Sequence, residues 1–157
     1  MSDDLARKTA PPPPWILTGL EDRPVAAIDL PTIDSCGGEC VFLGRTRGET
    51  HPDHGPLLRL DYEAYAPMVE KLLDTLARDV ADAHGCAAVR LVHAVGPVAV
   101  GEASVVVQTL AGHRAEAFAA CRQAIDRLKA ELPIWKREIW ESGQTFVDGA
   151  VVSTPIG

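Results

Sequence analysis

Two stretches of the chain repeat their apolar residues every three or four positions, which is the spacing of an amphipathic helix. The first runs from Pro67 to Ala83, and the second begins near His113 and continues to Glu131. Gly85 suits the C-terminal cap of the first, and Pro133 ends the second because the residue before a proline avoids helical backbone. The predicted apolar faces are Met68, Leu72, Leu73, Leu76, Val80 and Ala83 in the first helix, and Phe118, Cys121, Ile125, Leu128 and Leu132 in the second.

The other apolar runs are short and rich in β-branched residues, and they predict strands. In one of them Leu58, Leu60 and Tyr62 alternate with charged residues, as in a half-buried strand. His93 lies on another, where we expect it at the strand surface. The predicted strands are residues 38–45, 57–64, 88–95, 104–110 and 134–141, and a last one through 146 and 147.

The first predicted strand, residues 38–45, is mostly apolar, as a buried strand would be. Gly44 near its end indicates a β-bulge or a close approach of another backbone. Residues 48–56 are rich in glycine and proline and form a clear loop. We expect the strands at 38–45 and 57–64 to pair as a hairpin across this loop.

The order of the predicted elements is β-β-α-β-β-α-β-β. This order predicts an α+β fold with two main helices packed on one face of a mainly antiparallel sheet, since a doubly wound parallel fold would need more helices. Residues 1–14 are polar and end in four prolines, so we predict a disordered arm there. Residues 15–148 are expected to form a single domain, and 149–157 a tail without a pattern.

Composition and charge narrow the class of protein. Of the 157 residues, 46% are hydrophobic and 24% charged, as in ordinary globular proteins. The chain has no apolar run long enough to span a membrane and no basic, apolar start typical of a signal peptide, so we expect a cytoplasmic protein. A net charge of −7 argues against general nucleic-acid binding. Basic residues nevertheless cluster at 45–47 and 129–137, which suits a small anionic ligand or an acidic tail.

The cysteines and histidines do not predict a metal site. Cys36 and Cys40 are the only close pair of cysteines, and no second pair of ligands stands at a matching spacing. Cys121 lies on a predicted apolar face, so we interpret the thiols as reduced and structural. His51 and His54 lie in the loop at 48–56, which would hold a metal ion poorly.

The start of the second helix is a candidate anion site. His113 and Arg114 fall in or near its first turn, where free N–H groups and the positive end of the helix dipole favour phosphate. Taken alone, the pair also fits solvated surface. Lys129 fits the ordinary place of a lysine at a helix end, and Lys136 fits a solvent-facing strand position.

Taken together, these residues are similar to a known signature. His113-Arg114-x-x-x-Phe118, Leu128-Lys129 and the run from Pro133 to Glu138 resemble the large, catalytic subunit family of molybdopterin synthase. Three further segments fit in the same order. They are Phe42 to Arg47, Leu60 to Tyr65 followed by Pro67-Met68, and Gly96-x-x-x-x-Gly101-Glu102-x-Ser104-Val105, so the resemblance spans about residues 38–147.

The resemblance implies an α/β-hammerhead-like fold with an added small antiparallel sheet, and residues 15–148 would be the catalytic domain. It implies a homodimer at the centre of a heterotetramer, with a small ubiquitin-like sulfur-carrier subunit at each end. That subunit ends in a Gly-Gly thiocarboxylate, which enters a pocket of the large subunit. Two sulfurs then pass to cyclic pyranopterin monophosphate to form the dithiolene of molybdopterin. The resemblance implies no metal and no nucleotide cofactor for this step of molybdenum cofactor biosynthesis.

The resemblance also assigns the basic residues. Arg47, His113 and Arg114 would bind the substrate phosphate, with the His-Arg pair reaching the pocket from the neighbouring protomer. Lys129 and Lys136 would stabilise the thiocarboxylate and the developing oxyanion, or act as acid, base or covalent amine. Two ammonium groups close together would lower one another's pKa, which suits proton transfer.

The remaining site residues predicted from the resemblance lie beside these. Arg137 and Glu138 match the edge of the pocket, and Glu138 is expected to orient a lysine by an ion pair. Arg45 and Thr46 are expected to contact the substrate from a loop. Two other classes remain open: a module that binds a phosphorylated pterin without converting it, and a structural oligomeric domain with a basic patch.

Overall fold

A computed structural model of the chain describes residues 10–147. The predicted tail at 149–157 and residues 1–9 of the predicted arm lie outside this range. Within it, the elements follow the chain as β1 (Trp15–Glu21), β2 (Gly38–Arg45), β3 (Thr50–His51), β4 (Gly55–Ala64), α1 (Ala66–His84), β5 (Ala88–Ala94), β6 (Gly96–Ala99), β7 (Ala103–Ala111), α2 (Arg114–Glu131), β8 (Ile134–Trp140) and β9 (Gly143–Val147).

The strands form two sheets. The first has the order β1-β5-β7-β2, in which β1 runs parallel to β5 and the other neighbours are antiparallel. The second has the order β3-β4-β8-β9, with β6 also paired to β4, and is antiparallel throughout. The predicted α+β fold with a mainly antiparallel sheet is therefore confirmed. Neither helix is long and apolar enough to cross a membrane.

Both helices pack on the first sheet and against each other, and this layer contains the larger core. β7 lies at its centre and is buried along its whole length. α2 contacts the sheet through small residues, because a helix that approaches a sheet and another helix closely has no room for larger ones. Its buried residues are Ala117, Ala120, Cys121, Ala124 and Leu128.

Most residues predicted for the apolar faces of the helices face the core, but three of them are exposed. Phe118 is 63% exposed and Met68 is 51% exposed, and Ala83 also faces solvent. The helices themselves begin and end within a few residues of the predicted bounds. Gly85 caps α1 in the left-handed conformation, as predicted from its position after the apolar pattern.

The predicted hairpin between residues 38–45 and 57–64 is wrong. β2 pairs with β7 in the first sheet, whereas β4 pairs with β6 and β8 in the second. The loop between them turns back on β4 through the short strand β3. Hydrophobic patterning predicts that a strand exists, but it carries no information on which strand is its partner.

β2 is an edge strand of the first sheet and not a buried one. Val41 and Phe42 remain 43% and 39% exposed on it. The bulge predicted at Gly44 is confirmed, because the register with β7 shifts between Gly44 and Arg45. A Cβ on Gly44 would lie 2.5 Å from Cγ1 of Val105, so only glycine fits at this close approach.

A second shift in strand register explains why Leu58, which was predicted to face inward, is exposed. The pairing of β4 with β8 shifts between Leu57 and Arg59, and Leu58 is 48% exposed as a result. Leu57 is buried in its place, together with Leu60 and Tyr62. A β-bulge adds one residue to a strand, so the inward and outward positions of the side chains are exchanged beyond it. A strict period of two does not predict this exchange.

Candidate active site

Lys129 and Lys136 meet where α2 gives way to β8. Buried Leu132 ends the helix, and its N–H donates to the carbonyl of Leu128. Pro133 turns the chain into β8, where Lys136 stands opposite Tyr62 of β4. Both lysines line a cavity of about 200 Å³, here called the lysine cavity. Its other lining residues are Tyr62, His93, Leu128, Leu132, Ile134 and Val147.

The surroundings of Lys129 favour its neutral form. Partial desolvation lowers the pKa of Lys129 below its usual value, and the positive charge of Lys136 lowers it further. The Lys129 side chain still reaches solvent, so its pKa is lowered at the mouth of the cavity and not in a closed interior. Among residues 10–147, no carboxylate forms an ion pair with either lysine. The expected mutual effect of the two lysines is thus present for Lys129, with desolvation as the larger cause.

A groove of about 340 Å³ adjoins the lysine cavity and shares both lysines and Tyr62 with it. We call it the arginine groove, because the loop that follows β2 lines it with Arg45 and Arg47. Nη1 of Arg45 donates to the carbonyl of Gly101 at 2.8 Å, which holds this arginine at the side of the groove. The Arg47 side chain is 85% exposed.

Thr46 stands between the two arginines and lines the same groove. Its backbone N–H donates to the carbonyl of Glu102 at 2.9 Å, and its carbonyl accepts from Gly101 at 2.8 Å. The residue is 4% exposed, yet its hydroxyl has no hydrogen-bond partner within the described part of the chain. A buried hydroxyl without a partner costs stability, and a ligand in the groove would satisfy it.

Glu138 also lines the arginine groove, but it forms no ion pair with a lysine of the described residues. Its carboxylate instead accepts a hydrogen bond from the hydroxyl of Thr145 at 3.1 Å, and that hydroxyl accepts from the indole N–H of Trp140 at 2.9 Å. The carboxylate is therefore held by β9, and the predicted orientation of a lysine by Glu138 is not present.

Arg137 points to the opposite face of β8, because successive residues of a strand alternate between faces. There its guanidinium lies 3.5 Å from the carboxylate of Asp61. It lines neither the lysine cavity nor the arginine groove, but a depression of about 230 Å³ beside them. Trp135 and Phe146 line the same depression and are 42% and 78% exposed. We call these two side chains the aromatic patch.

His113 and Arg114 lie at the other end of α2. His113 is the N-terminal capping residue and Arg114 the first residue of the helix, as predicted. Both are exposed and line a shallow cavity of about 470 Å³ with Gly37 and Gly112. The rise of an α-helix places them about 22 Å from Lys129 along the axis. One protomer therefore does not bring the His-Arg pair to the lysines.

Sequence reasoning did not identify two residues of the lysine cavity, Tyr62 and His93. His93 is 2% exposed, so its expected place at the strand surface is wrong. The Tyr62 hydroxyl donates to Oγ of Ser104 at 3.3 Å, and burial raises the pKa of the phenol. The strand pattern predicts Tyr62 as an inward residue, whereas nothing in the sequence predicts that β5 is covered on both faces.

The cysteines lie away from the two lysines. Burial raises the pKa of Cys86 to about 11 and that of Cys121 to about 12, so both remain thiols at neutral pH. Cys36 and Cys40 are half-buried. Between residues 10 and 147, no group of histidine, cysteine and acidic side chains is arranged to hold a metal ion.

The fold and the cavity define a class of protein: an α+β protein with an amine of lowered pKa beside a groove lined by two arginines. Comparison with known proteins gives the family. A family model described as "MoaE protein" matches residues 21–131. The chain belongs to this family, whose relatives are named molybdopterin synthase catalytic subunits.

Three relatives show the extent of the likeness. The catalytic subunit from Nostoc sp. is 41% identical over 114 residues, which cover 71% of this chain and 68% of that one. The crystal structure of molybdopterin synthase from Staphylococcus aureus superimposes with a TM-score of 0.72 at 30% identity and covers 82% of this chain and 95% of that one. A complex of subunits 1 and 2 of molybdopterin-converting factor from Helicobacter pylori gives a TM-score of 0.61 over 72% of this chain and 73% of that one; at 22% identity it supports the fold alone.

Proposed function

We propose that this chain is the catalytic subunit of a molybdopterin synthase. In this reaction, sulfur leaves the C-terminal thiocarboxylate of a small ubiquitin-like carrier subunit and enters cyclic pyranopterin monophosphate. Two such transfers produce the dithiolene of molybdopterin. The observation that carries the proposal is the lysine cavity, in which Lys129 has a lowered pKa, a second lysine as its neighbour and no acidic partner among the described residues.

The chemistry requires both a positive charge and a group that moves protons. The thiocarboxylate sulfur forms the new bond to a substrate carbon as a carbon–oxygen bond at that carbon breaks, and water then cleaves the acyl–sulfur bond, which leaves a carboxylate on the carrier and a thiolate on the substrate. Lys136 supplies charge to the thiocarboxylate and to the oxyanion that forms during cleavage. Lys129 is the better acid or base, since its pKa is shifted towards neutrality.

The arginine groove is the proposed site of the substrate, whose phosphate is anionic. Arg45 and Arg47 donate charge-assisted hydrogen bonds to such a group. The hydroxyl of Thr46, which is buried and has no partner among the residues that the structure describes, offers one further donor. Because the groove and the lysine cavity share Lys129 and Lys136, a substrate in the groove lies next to both amines.

The proposed docking surface of the carrier is the aromatic patch. Trp135 and Phe146 are exposed beside Lys136, which lines both this depression and the lysine cavity. A tail that ends in Gly-Gly has no side chains to obstruct its entry. Phe146→Glu should weaken carrier binding by at least tenfold, while Ile28→Glu, at an exposed position off both cavities, should not. Equal affinities for the two variants would exclude this surface.

The His-Arg pair is proposed to act in a second protomer of a homodimer. This proposal is supported by the distance along α2 from Arg114 to Lys129 and by Val41 and Phe42, which are exposed apolar residues on the edge strand β2. A mixture of Lys129→Ala and Arg114→Ala proteins tests it. After subunit exchange it should recover about a quarter of the wild-type rate, since half the dimers are mixed and each mixed dimer has one intact site. A mixture as inactive as its components would exclude the action of the pair in the site of a second protomer.

A single-turnover assay tests the function itself. Wild type, thiocarboxylated carrier and cyclic pyranopterin monophosphate should yield molybdopterin, Lys129→Ala should form it at a rate lower by roughly 100-fold or more, and Lys71→Ala, at an exposed position of α1, should behave as wild type. A folded wild type that binds the carrier and gives no product would favour the binding module. A folded wild type that binds neither would favour the structural domain. The expected cytoplasmic location is part of the proposal, and cell fractionation tests it.

A further inference from the structure

The arginine groove is lined by two carboxylates, which differ in their partners. Glu49 forms an ion pair with Arg47, whose Nη2 lies 3.2 Å from Oε1 of the carboxylate. Glu138 is half-buried and forms no ion pair with a residue that the structure describes. The proposed function assigns no role to this second carboxylate.

A chain of two hydrogen bonds leads to Glu138 from the interior of the second sheet. The indole nitrogen of Trp140 lies 2.9 Å from the hydroxyl oxygen of Thr145, which lies 3.1 Å from Oε2 of Glu138. An indole N–H only donates and a carboxylate oxygen only accepts, so the single hydroxyl proton of Thr145 goes to Glu138. The chain therefore has a fixed direction, and each of its bonds strengthens the next.

Trp140 is a rigid starting point for this chain. It is 5% exposed and packs with Leu57 and Leu60 in the core between the two sheets. The centroid of the His51 ring lies 5.2 Å from that of the indole. A large ring enclosed in this way keeps its rotamer, because a packed interior leaves no space for another. The position of the indole therefore determines where the hydroxyl of Thr145 lies.

Thr145 and Glu138 are directly paired across β9 and β8, so their side chains leave the same face of the sheet. The bond from Thr145 is the one side-chain hydrogen bond that Glu138 makes within residues 10–147. It holds Oε2, and it leaves Oε1 to accept from a ligand in the groove.

The groove thus offers two kinds of polar group to a ligand. Arg45 and Arg47 donate to an anionic group, whereas Oε1 of Glu138 accepts from an N–H group. A phosphorylated pterin carries both, since its phosphate is an anion and the pyrimidine part of its ring has neighbouring N–H donors. The carboxylate therefore suits the ring of the proposed substrate, and the arginines suit its phosphate.

We propose that Thr145 is a positioning residue, anchored by Trp140, which fixes the Glu138 carboxylate so that Oε1 accepts a hydrogen bond from the pterin ring of the substrate. The inference rests on the proposed function. A free glutamate side chain loses rotamer freedom when a ligand binds to it, and this loss weakens binding. A carboxylate that is already held by Thr145 avoids that loss.

Binding measurements on matched variants test the positioning role. Thr145→Val keeps the shape of the side chain without its hydroxyl and should weaken binding of cyclic pyranopterin monophosphate by roughly tenfold. Thr145→Ser keeps the hydroxyl and should bind as wild type does. Thr75→Val, at an exposed position of α1, is the control for the substitution itself and should also bind as wild type does. Inorganic phosphate, which has no ring, should bind equally to wild type and to each of these variants.

A double-mutant cycle shows whether Thr145 acts through Glu138. In a Glu138→Ala background, Thr145→Val should weaken substrate binding by less than about twofold, because the group that it positions is gone. In the single-turnover assay, the loss in Thr145→Val should appear in the substrate concentration required and not in the rate at saturation. Wild-type affinity in Thr145→Val, or a further loss of roughly tenfold in the Glu138→Ala background, would overturn the proposal.

Nuclear magnetic resonance tests the hydrogen-bonded chain directly. The protein has three tryptophans, so a spectrum of the indole N–H groups contains three signals. Thr145→Val should shift the signal of Trp140, whereas an unchanged signal of Trp15, on β1, shows that the variant is folded. In wild type, cyclic pyranopterin monophosphate should also shift the Trp140 signal, although Trp140 does not line the groove. A Trp140 signal that neither the substitution nor the substrate moves would overturn the proposal.

The outcomes separate this inference from the function on which it rests. Conversion of the substrate by wild type, together with equal substrate affinity in Thr145→Val, would overturn the positioning role alone. Binding by wild type, with the expected loss in Thr145→Val but no molybdopterin formed, would overturn the proposed function alone. No binding of the substrate by wild type would overturn both.

Discussion

Desolvation lowers the pKa values of two cations of this protein, Arg90 and Lys129. The two side chains differ in their burial, their hydrogen-bond partners and their acidic neighbours. Arg90 is 3% exposed, and its Nη1 donates at 2.9 Å to both the carbonyl of Ala26 and Oε1 of Gln108. Glu21 lies 3.9 Å from Nη2 and offsets part of the desolvation. Lys129 reaches solvent and has no acidic partner in the described range. The more deeply buried cation is the one that hydrogen bonds and an ion pair hold in place.

The contacts around Arg90 have a structural result. Gln108, which accepts from Arg90, also donates to the carbonyl of Ile28 at 2.7 Å and accepts from its N–H at 3.1 Å. The segment near residues 26–28 has no regular secondary structure, so these side chains replace the ladder that a strand would supply. The hydrogen bonds of Arg90 thus stabilise a loop, whereas Lys129 makes no comparable side-chain hydrogen bond within the described residues.

The largest expected effect is on catalysis at Lys129. Lys129→Ala should reduce sulfur transfer by roughly 100-fold or more, as loss of a transition-state donor does. The free energy of unfolding should change by less than about 1 kcal/mol, because the side chain is exposed at a helix end. Lys129→Arg keeps the charge but not the titratable amine and should be nearly as inactive. Single-turnover rates and urea unfolding measure both, and a loss above about 2 kcal/mol would make the residue structural.

Arg90→Met should have the opposite effect to Lys129→Ala: it should lower stability and leave activity nearly unchanged. Removing one member of a buried polar network leaves Gln108 and the carbonyl of Ala26 without their partner, so the free energy of unfolding should fall by about 3 kcal/mol. The rate of sulfur transfer per folded molecule should stay within about threefold of wild type at low temperature, since Arg90 lines neither the lysine cavity nor the arginine groove. Urea unfolding measures the free energy of unfolding. A stability of Arg90→Met equal to that of wild type would contradict the structural role of Arg90 and its contrast with Lys129.

Acid should weaken the fold through His93. Its pKa is about 4 in the folded protein and near 6.5 when unfolded, so the unfolded chain binds more protons between these values. Stability therefore falls as the pH falls from 6.5 to 4, by about 3 kcal/mol from this residue. Urea unfolding at pH 7 and pH 4.5 should give a smaller difference for His93→Gln than for wild type. His84→Gln, a control at the protein surface, should show the same pH dependence of stability as wild type. The same pH dependence in wild type, His93→Gln and His84→Gln would contradict the burial of a neutral imidazole at His93.

The smallest expected effect is at Glu21. Its contact with Arg90 is long, and about a third of its side chain is exposed, so Glu21→Gln should cost less than about 1 kcal/mol. Urea unfolding at low and high salt should show a small, salt-sensitive loss. A loss as large as that of Arg90→Met would mean that the ion pair, and not the hydrogen bonds to Gln108 and Ala26, stabilises the buried guanidinium.

Features that depend on neighbouring residues in the chain were predictable. The bounds of β2, the positions of α1 and α2, the cap at Gly85 and the bulge at Gly44 follow from spacing, turn chemistry and backbone sterics. The sequence signature also indicated Lys129 and Lys136 as a pair. What it did not indicate is that Arg137, one residue further, faces the other side of β8.

The sequence by itself determined which segments become helices and strands and which side chains are available for chemistry, because both depend on a few consecutive residues. Only the tertiary structure decided that β2 pairs with β7, that His93 is buried and that Phe118 is exposed. It also decided the lowered pKa of Lys129. Burial and electrostatic environment are sums over groups far apart in the chain, and no local pattern contains them.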